Sequence, residues 1–491
     1  MAKNLNVFLC ALIFATTAFS FSTAARRPEE ARGLPLQFTT APPTQPIAEL
    51  PPTFTQELAR DWALPRLTSV HPLVGKPDHS LRTVWVRMFP LATVPLSDPY
   101  PKTVDINVVD LECKAGLAIY NLTTQTFLGK TSSLHLDFSK PTFKIGSVTV
   151  NLQTLWIIAA GPTTTLRWDT GKLTAAGKKA DVGVKLRGQF AVKQTMFESN
   201  DVGKPHPLGQ QLWSVINLVD INNYIESVVP SEIISTWDPE TIKAQAIAAR
   251  TYGMFEVAEA RSVGADWDID PSTWFQSYRG VEFYDRNAKS WQKVELSSTS
   301  QAVTDTHGEV ITYNGAIIKA YFSANSGGPT CTASECFDVP DQPYLAQVQD
   351  ASDIKTLPGG TWGSKATLTP DNIKAKMAEG GVTTAQTVTK VEALSRGPSG
   401  RTWTLRVHLA SGSVINLDKL QTRKIMHLYG PLRSFLYTLG KMTGGKQEIL
   451  GHGFGHGVGL SQWGAQSFAK QGWSAHKILQ HYYRNVKIEK L

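Results

Sequence analysis

Between Leu81 and Leu218 apolar and polar positions alternate in short runs, each closed by Gly, Pro or Thr. Thr83–Phe89, Val104–Val109, Leu134–Phe138, Thr142–Val150 and Leu186–Val192 all read as strands, which makes this stretch a β module. A further strand, Leu212–Val219, leads into Ile221–Val229, a short helix or turn ahead of Pro230. The period then changes. Asp238 is an N-cap, Pro239 takes the first helical position and Glu240 the first turn, while Ile242, Ala246 and Ala249 recur at the spacing of a buried helix face. Strands return at Glu309–Tyr313 and Ala316–Phe322, the latter running into Ser323-Ala-Asn-Ser-Gly-Gly-Pro329. A small helix begins at Thr369, and the strands Val388–Leu394 and Thr402–Leu409 flank Gly397–Arg401. The alternating glycines of Gly451–Gly464 oppose a stable helix. Ala465–Lys470 and Ala475–Tyr483 read as two short amphipathic helices that close the chain. No internal repeat of fixed period is present.

The N-terminus carries a different pattern. Lys3, an apolar run from Leu5 to Phe21 and the small residues Ser22-Thr-Ala24 form a secretory signal peptide cut near Ala24 or Ala25; an uncleaved anchor is the alternative, because the run is nearly long enough to span a bilayer. Ten of the 28 prolines lie between Pro28 and Pro77, so residues 25–80 read as an extended linker, a tether or a surface-wrapping arm. The expected organisation is therefore a signal segment (1–24), a proline-rich arm (25–80), a β-rich part (81–200) and a larger domain (201–491). The 42% hydrophobic content supplies a core. A net charge of +8 and a pI near 9.1 point to an acidic partner, which outside the cytoplasm means cell wall, membrane surface or nucleic acid. The basic residues are scattered without interleaved aromatics, and nucleic acid is not expected. Cys331 and Cys336 suit a small disulfide loop in an oxidising compartment, with a metal site as the competing reading; Cys113 reads as a buried free thiol.

Three stretches carry candidate chemistry. Glu232 is expected on a loop shortly before a positively polarised helix start, with Lys243 and Arg250 two turns apart on that helix. One acid among donors fits catalysis, but the pattern alone fits an ordinary surface loop with a core helix better. The glycines after Ser326 offer N–H groups that could hold an oxyanion or a sugar, or merely turn the chain. In the glycine-rich stretch, Ser461, Gln462 and Trp463 provide the hydroxyl, amide and indole groups that grip sugars. His452 and His456 sit four apart without a helix to align them, so zinc is not favoured.

Taken in order, these motifs resemble the stage II sporulation protein D and amidase-enhancer LytB group of bacterial peptidoglycan proteins. The resemblance is carried by Val228–Glu232 with Lys243–Tyr252, by Tyr321–Gly328 with Pro343–Leu345, by Gly397–Arg401, and by His452–Ala465 with His481–Tyr483. It covers about Leu186 to Val486. The resemblance implies an α+β fold, a mixed β-rich domain with a few helices around a substrate cleft, preceded by a β module. It implies lytic transglycosylation: cleavage of glycan after N-acetylmuramic acid with closure of a 1,6-anhydro ring. Some relatives instead enhance a wall amidase. By position Glu232 is the catalytic acid, and Lys243, Gln245, Arg250, Tyr252, Ser326, His452, His456, Ser461, Gln462 and Trp463 are substrate-binding candidates. Glu226, Asp238 and Glu240 lie near enough in sequence to supply a second acid. Departures are Gly253 in place of a small or apolar helix residue, Trp463 where Tyr is common, and Asn325 before the Ser-Gly-Gly turn. Some relatives bind zinc here; the short Cys331–Cys336 spacing without an adjacent His puts a metal in doubt, and no cofactor is expected. The implied partners are peptidoglycan strands and a wall amidase, reached from an extracytoplasmic position with or without a membrane tether.

Overall fold

A computed structural model of the chain describes residues 82–89, 108–168, 183–196, 211–271, 275–285, 288–337, 339–350, 361–363, 369–379, 382–418 and 433–491. The signal segment and the proline-rich arm lie outside the described residues. The fold is α+β and strand-rich, its strands almost entirely antiparallel. It divides into two compact units. The first, here the sheet unit, holds the described residues up to Thr236 together with Ala249–Lys319 and Ile488–Leu491; the second, the loop unit, holds Trp237–Ala248 and Ala320–Lys487.

The sheet unit is built on one ten-stranded sheet. Its strands are β1 (Thr83–Phe89), β2 (Val108–Asn121), β3 (Phe127–Asp137), then β6 (Leu155–Ala159), β7 (Thr164–Trp168), β8 (Gly183–Leu186), β9 (Gln189–Met196), β10 (Gln211–Asp220), β11 (Glu282–Asp285) and β12 (Ser290–Lys293). A separate hairpin, β4 (Thr142–Ile145) with β5 (Val148–Asn151), sits between β3 and β6 in sequence. The order is β1-β10-β9-β6-β2-β7-β8-β11-β12, with β3 paired to β2. β2 is long enough to serve two neighbours: Val109–Glu112 pair with β7 and Leu117–Asn121 with β6. Its first half alternates, burying Val109, Leu111 and Cys113, as a half-buried strand must. Strands from both sides of residue 200 enter this sheet, since β10 pairs with β9 on one side and β1 on the other. Two long runs that read as single strands are broken at glycines. Gly146 (φ +59°) makes Thr142–Val150 a hairpin, and Gly188 (φ +86°) separates β8 from β9.

Helix α1 (Ile221–Glu232) follows β10 directly, capped by the Asp220 carboxylate, which accepts from the backbone N–H of Asn222 at 2.8 Å. Helix α2 (Pro239–Ser262) starts where the sequence signals it: the Glu240 N–H donates to the Asp238 carboxylate at 2.9 Å. Ile242, Ala246 and Ala249 are buried as expected. The helix runs ten residues past Tyr252, and its residues up to Ala248 belong to the loop unit while the rest belong to the sheet unit. Helix α3 (Ser297–Asp305) packs on α1, and the strand β13 (Glu309–Tyr313) pairs with β14 (Ala316–Ile317) and the C-terminal strand Lys487–Lys490.

In the loop unit, β15 (Phe322–Ser323) pairs in parallel with a two-residue strand, Leu460–Ser461. Two three-stranded sheets complete it. One joins β16 (Thr361–Gly363), Leu436–Thr443 and Lys446–His452; the other is the meander Val388–Arg396, Thr402–Leu409 and Val414–Leu417. Their apolar faces and the helix Pro370–Glu379 bury Ile373, Met377, Val391, Val407, Phe435 and Ile449 in a common core. The closing helices are Gln462–Lys470 and Ala475–Tyr482, capped by Ser461 and Ser474. The first begins three residues earlier than the glycine pattern predicts, taking in Gly464.

Candidate functional site

Glu232 is the last residue of α1, not a loop residue. Pro230 sits inside the final turn of that helix; it forfeits one backbone bond there, too near the end to break the helix. The residue is half-buried, and its carboxyl end is enclosed. Its Oε1 accepts from the Ser277 backbone N–H at 2.6 Å. Burial raises the Glu232 pKa, while the Ser277 bond and the charge of Arg279 pull it back part of the way. Beside it the rings of Tyr224 and Tyr278 pack 5.1 Å apart; burial and the Glu232 charge push the Tyr224 hydroxyl well above its ordinary range. The other acids have different employment. Glu226 accepts from the Ser300 hydroxyl, Asp238 caps α2, and Glu240 accepts from the Ala475 N–H at 2.8 Å while pairing with Lys243 at 3.3 Å.

In the sheet unit both proposed substrate residues, Arg250 and Tyr252, are interior. Arg250 is 1% exposed and donates to the Asn222 side chain and to the Val303 and Glu309 carbonyls; burial lowers its pKa to about 10. These bonds tie α2 to α1, α3 and β13, so Arg250 is a brace of the sheet unit. Tyr252, two residues further along the same helix, is also buried.

In the loop unit the glycines of Gly451–Gly464 earn their spacing. Gly453, Gly455, Gly457 and Gly459 all adopt positive φ, between +69° and +101°. A side chain at Gly457 would strike the guanidinium of Arg401, and one at Gly459 the Tyr321 carbonyl. Arg401, at the end of the Gly397–Arg401 hairpin, is buried and donates to the Ser326 carbonyl at 2.8 Å and the Pro329 carbonyl at 2.9 Å. It thus fixes the Ser-Gly-Gly turn. Ser326 donates to the Asp350 carboxylate, Tyr482 donates to the same group at 2.5 Å, and the Ser326 N–H donates to the Ser461 hydroxyl at 3.3 Å. Gln462 donates to Gln245 at 3.2 Å, and both are buried.

His456 is held between Tyr321 and Phe337, with ring centroids 5.9 and 5.1 Å away. Its Nδ1 accepts from the Val458 N–H at 3.0 Å and the ring also bonds the Phe322 backbone; burial lowers its pKa to about 4, keeping it neutral. His452 ends the strand Lys446–His452 and is half-buried. Cys331 and Cys336 form a disulfide, and both sulfurs lie 3.0–3.1 Å from the His456 carbonyl oxygen. Cys113 is a buried free thiol. These residues do not fit a zinc site: the sulfurs are bonded to each other and both ends of the His456 ring are engaged. Among the described residues no group of three or more His, Cys, Asp or Glu side chains is arranged to hold a metal ion.

A family model described as stage II sporulation protein matches residues 209–313, which span β10 through β13, and a second, described only as a domain of unknown function, matches 361–459. Stage II sporulation protein D of Bacillus amyloliquefaciens is 33% identical over 272 residues, covering 55% of this chain and 74% of that protein. The chain belongs to the stage II sporulation protein D family. The resemblance carried by the four motifs is thereby borne out. An uncharacterised protein of Brachyspira hyodysenteriae is 30% identical over 56% of this chain and 68% of its own length, and the amidase enhancer of Bacillus subtilis is 28% identical over 54% and 40%.

Within this family member the motif residues divide between the units. Glu232, Arg250 and Tyr252 belong to the sheet unit; Lys243, Gln245, Ser326, His452, His456, Ser461, Gln462 and Trp463 belong to the loop unit. The structure brings Ser326 to Ser461 and Gln245 to Gln462. The spacing of motifs did not reveal Ser277 and Arg279 beside the acid, nor Asp350 beneath the turn, whereas Tyr482 lay within the matched His481–Tyr483 segment. Arg401 carried a signal, as the last residue of a matched motif, without a role.

Proposed function

We propose that this chain is an extracytoplasmic cell-wall protein that cleaves peptidoglycan strands as a lytic transglycosylase, with Glu232 as acid and base. The observation that carries the reading is the Glu232 carboxyl, enclosed at the end of α1, where it accepts from the Ser277 N–H at 2.6 Å and burial still raises its pKa. A carboxyl that holds its proton to higher pH than an exposed one suits a general acid. In the proposed reaction Glu232 gives its proton to the glycosidic oxygen as the C1–O bond breaks. The muramyl 6-hydroxyl then attacks C1, closing the 1,6-anhydro ring, and its proton returns to the Glu232 carboxylate. No water is consumed, so one carboxyl serves both steps where a hydrolase usually employs two. The family's sporulation name and the relative described as an amidase enhancer support action at the wall. The disulfide supports an oxidising compartment.

The test is digestion of peptidoglycan, intact and stripped of stem peptides, with analysis of the soluble products. Anhydro-muramyl ends from the wild type, and a loss of about a hundredfold or more in Glu232→Gln, are expected. Equal yields from both proteins, or no anhydro product from either substrate, would sink the proposal. A second reading, a glycan-binding protein that stimulates an amidase, is favoured by the amidase-enhancer relative. It predicts amidase stimulation that persists in Glu232→Gln.

A further inference from the structure

Beside Glu232 the hydroxyls of Tyr224 and Ser277 both lack a hydrogen-bond partner among the described residues. Tyr224 is fully buried, out of reach of any substrate; Ser277 keeps 8% of its surface open. The segment Gln276–Gly280 is pinned without the Ser277 hydroxyl. The Ser277 N–H donates to Glu232 Oε1 at 2.6 Å, and the Arg279 N–H donates to the Ser227 hydroxyl at 3.0 Å. On either side of Ser277 the chain turns inward: Nε2 of Gln276 donates to the Ala249 carbonyl at 3.0 Å, and the Tyr278 hydroxyl to the Asn217 side chain at 2.8 Å. Buried hydroxyls are normally bonded. Those of Ser214, Ser227 and Ser399 are, to Thr195, the Arg279 N–H and Glu335. At position 277 alanine would serve the fold equally well, since every bond that holds the segment uses backbone or a neighbouring side chain.

The place of this hydroxyl is narrowly set. Covalent geometry keeps a serine Oγ within about 3.8 Å of its own nitrogen, so Ser277 Oγ lies no more than about 6.4 Å from Glu232 Oε1. One oxygen hydrogen-bonded to two others spans up to about 5.5 Å, so a single substrate hydroxyl can touch both groups. We propose that Ser277 donates a hydrogen bond to the muramyl 6-hydroxyl and turns that group's own proton toward Glu232. The inference rests on the cleavage reading above and names the residue that holds its attacking group. One lone pair of O6 accepts from Ser277, the other forms the bond to C1, and the O6 proton passes to the Glu232 carboxylate. The leaving oxygen has by then taken the first Glu232 proton, so protons balance. A neutral hydroxyl orients O6 without placing a further charge beside the acid.

The experiment repeats the peptidoglycan digest with wild type, Ser277→Ala and Ser277→Cys, and counts anhydro and reducing muramyl ends, with thermal melts as folding controls. Ser277→Ala leaves the Glu232 anchor intact, because that anchor is a backbone N–H. Water then competes for C1 with a poorly held 6-hydroxyl. Anhydro ends are expected to form about tenfold more slowly, and the share of reducing ends to rise. The alkaline limb of the pH–rate profile should stay in place, since burial, the Ser277 N–H and Arg279 still surround the acid. Ser277→Cys, nearly isosteric but a weak donor, should move the product ratio the same way, and it carries the test should the Ala variant not fold. Folded variants with wild-type rate and ratio would overturn the inference. So would slower cleavage at an unchanged ratio, which puts the hydroxyl elsewhere than at O6, or a displaced alkaline limb, which puts its action on the acid. A wild type that yields no anhydro ends removes the cleavage reading and this inference together. Anhydro ends from the wild type with an unchanged ratio in the variants remove this inference alone.

Discussion

At Glu232 the balance of forces has a definite sign. Withdrawal from water raises its pKa, and one backbone donor with one nearby guanidinium recovers only part of the shift. A carboxyl whose folded pKa lies above its unfolded value adds stability fully below the unfolded pKa and loses that contribution as pH rises through the folded one. Two outcomes follow. Anhydro-product formation should fall as pH climbs through the raised Glu232 pKa, because the acid form is spent, and a pH–rate profile would read this. Glu232→Gln, uncharged at every pH, should melt no lower than wild type at neutral pH, with the difference vanishing near pH 4; calorimetry across that range checks it. His456 works in the opposite sense. Its pKa is lowered to about 4, so the stability of the neutral ring is lost as pH falls from the ordinary imidazole range near 6.5 toward 4. The loss with acid should be shallower in His456→Gln, seen as a flatter plot of melting temperature against pH. Residue type and motif order were enough to single out Glu232. The groups that set its chemistry were not legible, because Ser277 stands 45 residues further along and is brought in only by the fold.

Among the elements, α2 was legible in detail since its start is coded locally by Asp238, Pro239 and Glu240. The end of α1 was not, because Pro230 reads as a breaker wherever it stands, and only the structure shows it inside the last turn, two residues from the terminus. Glycines misled in both directions, splitting two presumed strands at Gly146 and Gly188 yet being absorbed into a helix at Gly464. The helical glycines permit a matched test. A Cβ on Gly464 would overlap Asp350 and the Tyr482 hydroxyl, whereas one on Gly253 would meet Tyr224 at 3.4 Å and Ile221 at 3.5 Å, near ordinary contact. Gly464→Ala is therefore expected to cost about 2 kcal/mol or more through overpacking. Gly253→Ala should be neutral or stabilising by up to about 1 kcal/mol through helix propensity. Urea denaturation of the two variants decides between this and a uniform helix effect; equal shifts of the same sign would contradict it.

On the scale of the whole chain, the cysteines connect fold to compartment. The loop closed by Cys331 and Cys336 is only a few residues long, so the cross-link restrains few unfolded conformations and contributes about 2 kcal/mol on the chain-entropy account. Its larger effect is local. Both sulfurs lie against the His456 carbonyl, and the Cys331 N–H donates to the Gly457 carbonyl at 2.9 Å, so the bridge backs the glycine-rich loop at its tightest turn. Both cysteines are fully buried, which shields the bond from reductant once the loop has closed over it. Such a bond forms in an oxidising setting, as the extracytoplasmic position proposed above would supply. Protein recovered from outside the cytoplasm should show Cys331 and Cys336 unreactive to alkylation in denaturant until a reductant is added, with Cys113 labelled at once. Cys331→Ser should lower stability by roughly the same 2 kcal/mol and loosen hydrogen-exchange protection first around Gly457 and Val458. Exported protein with both thiols free would break the link between this loop and its compartment.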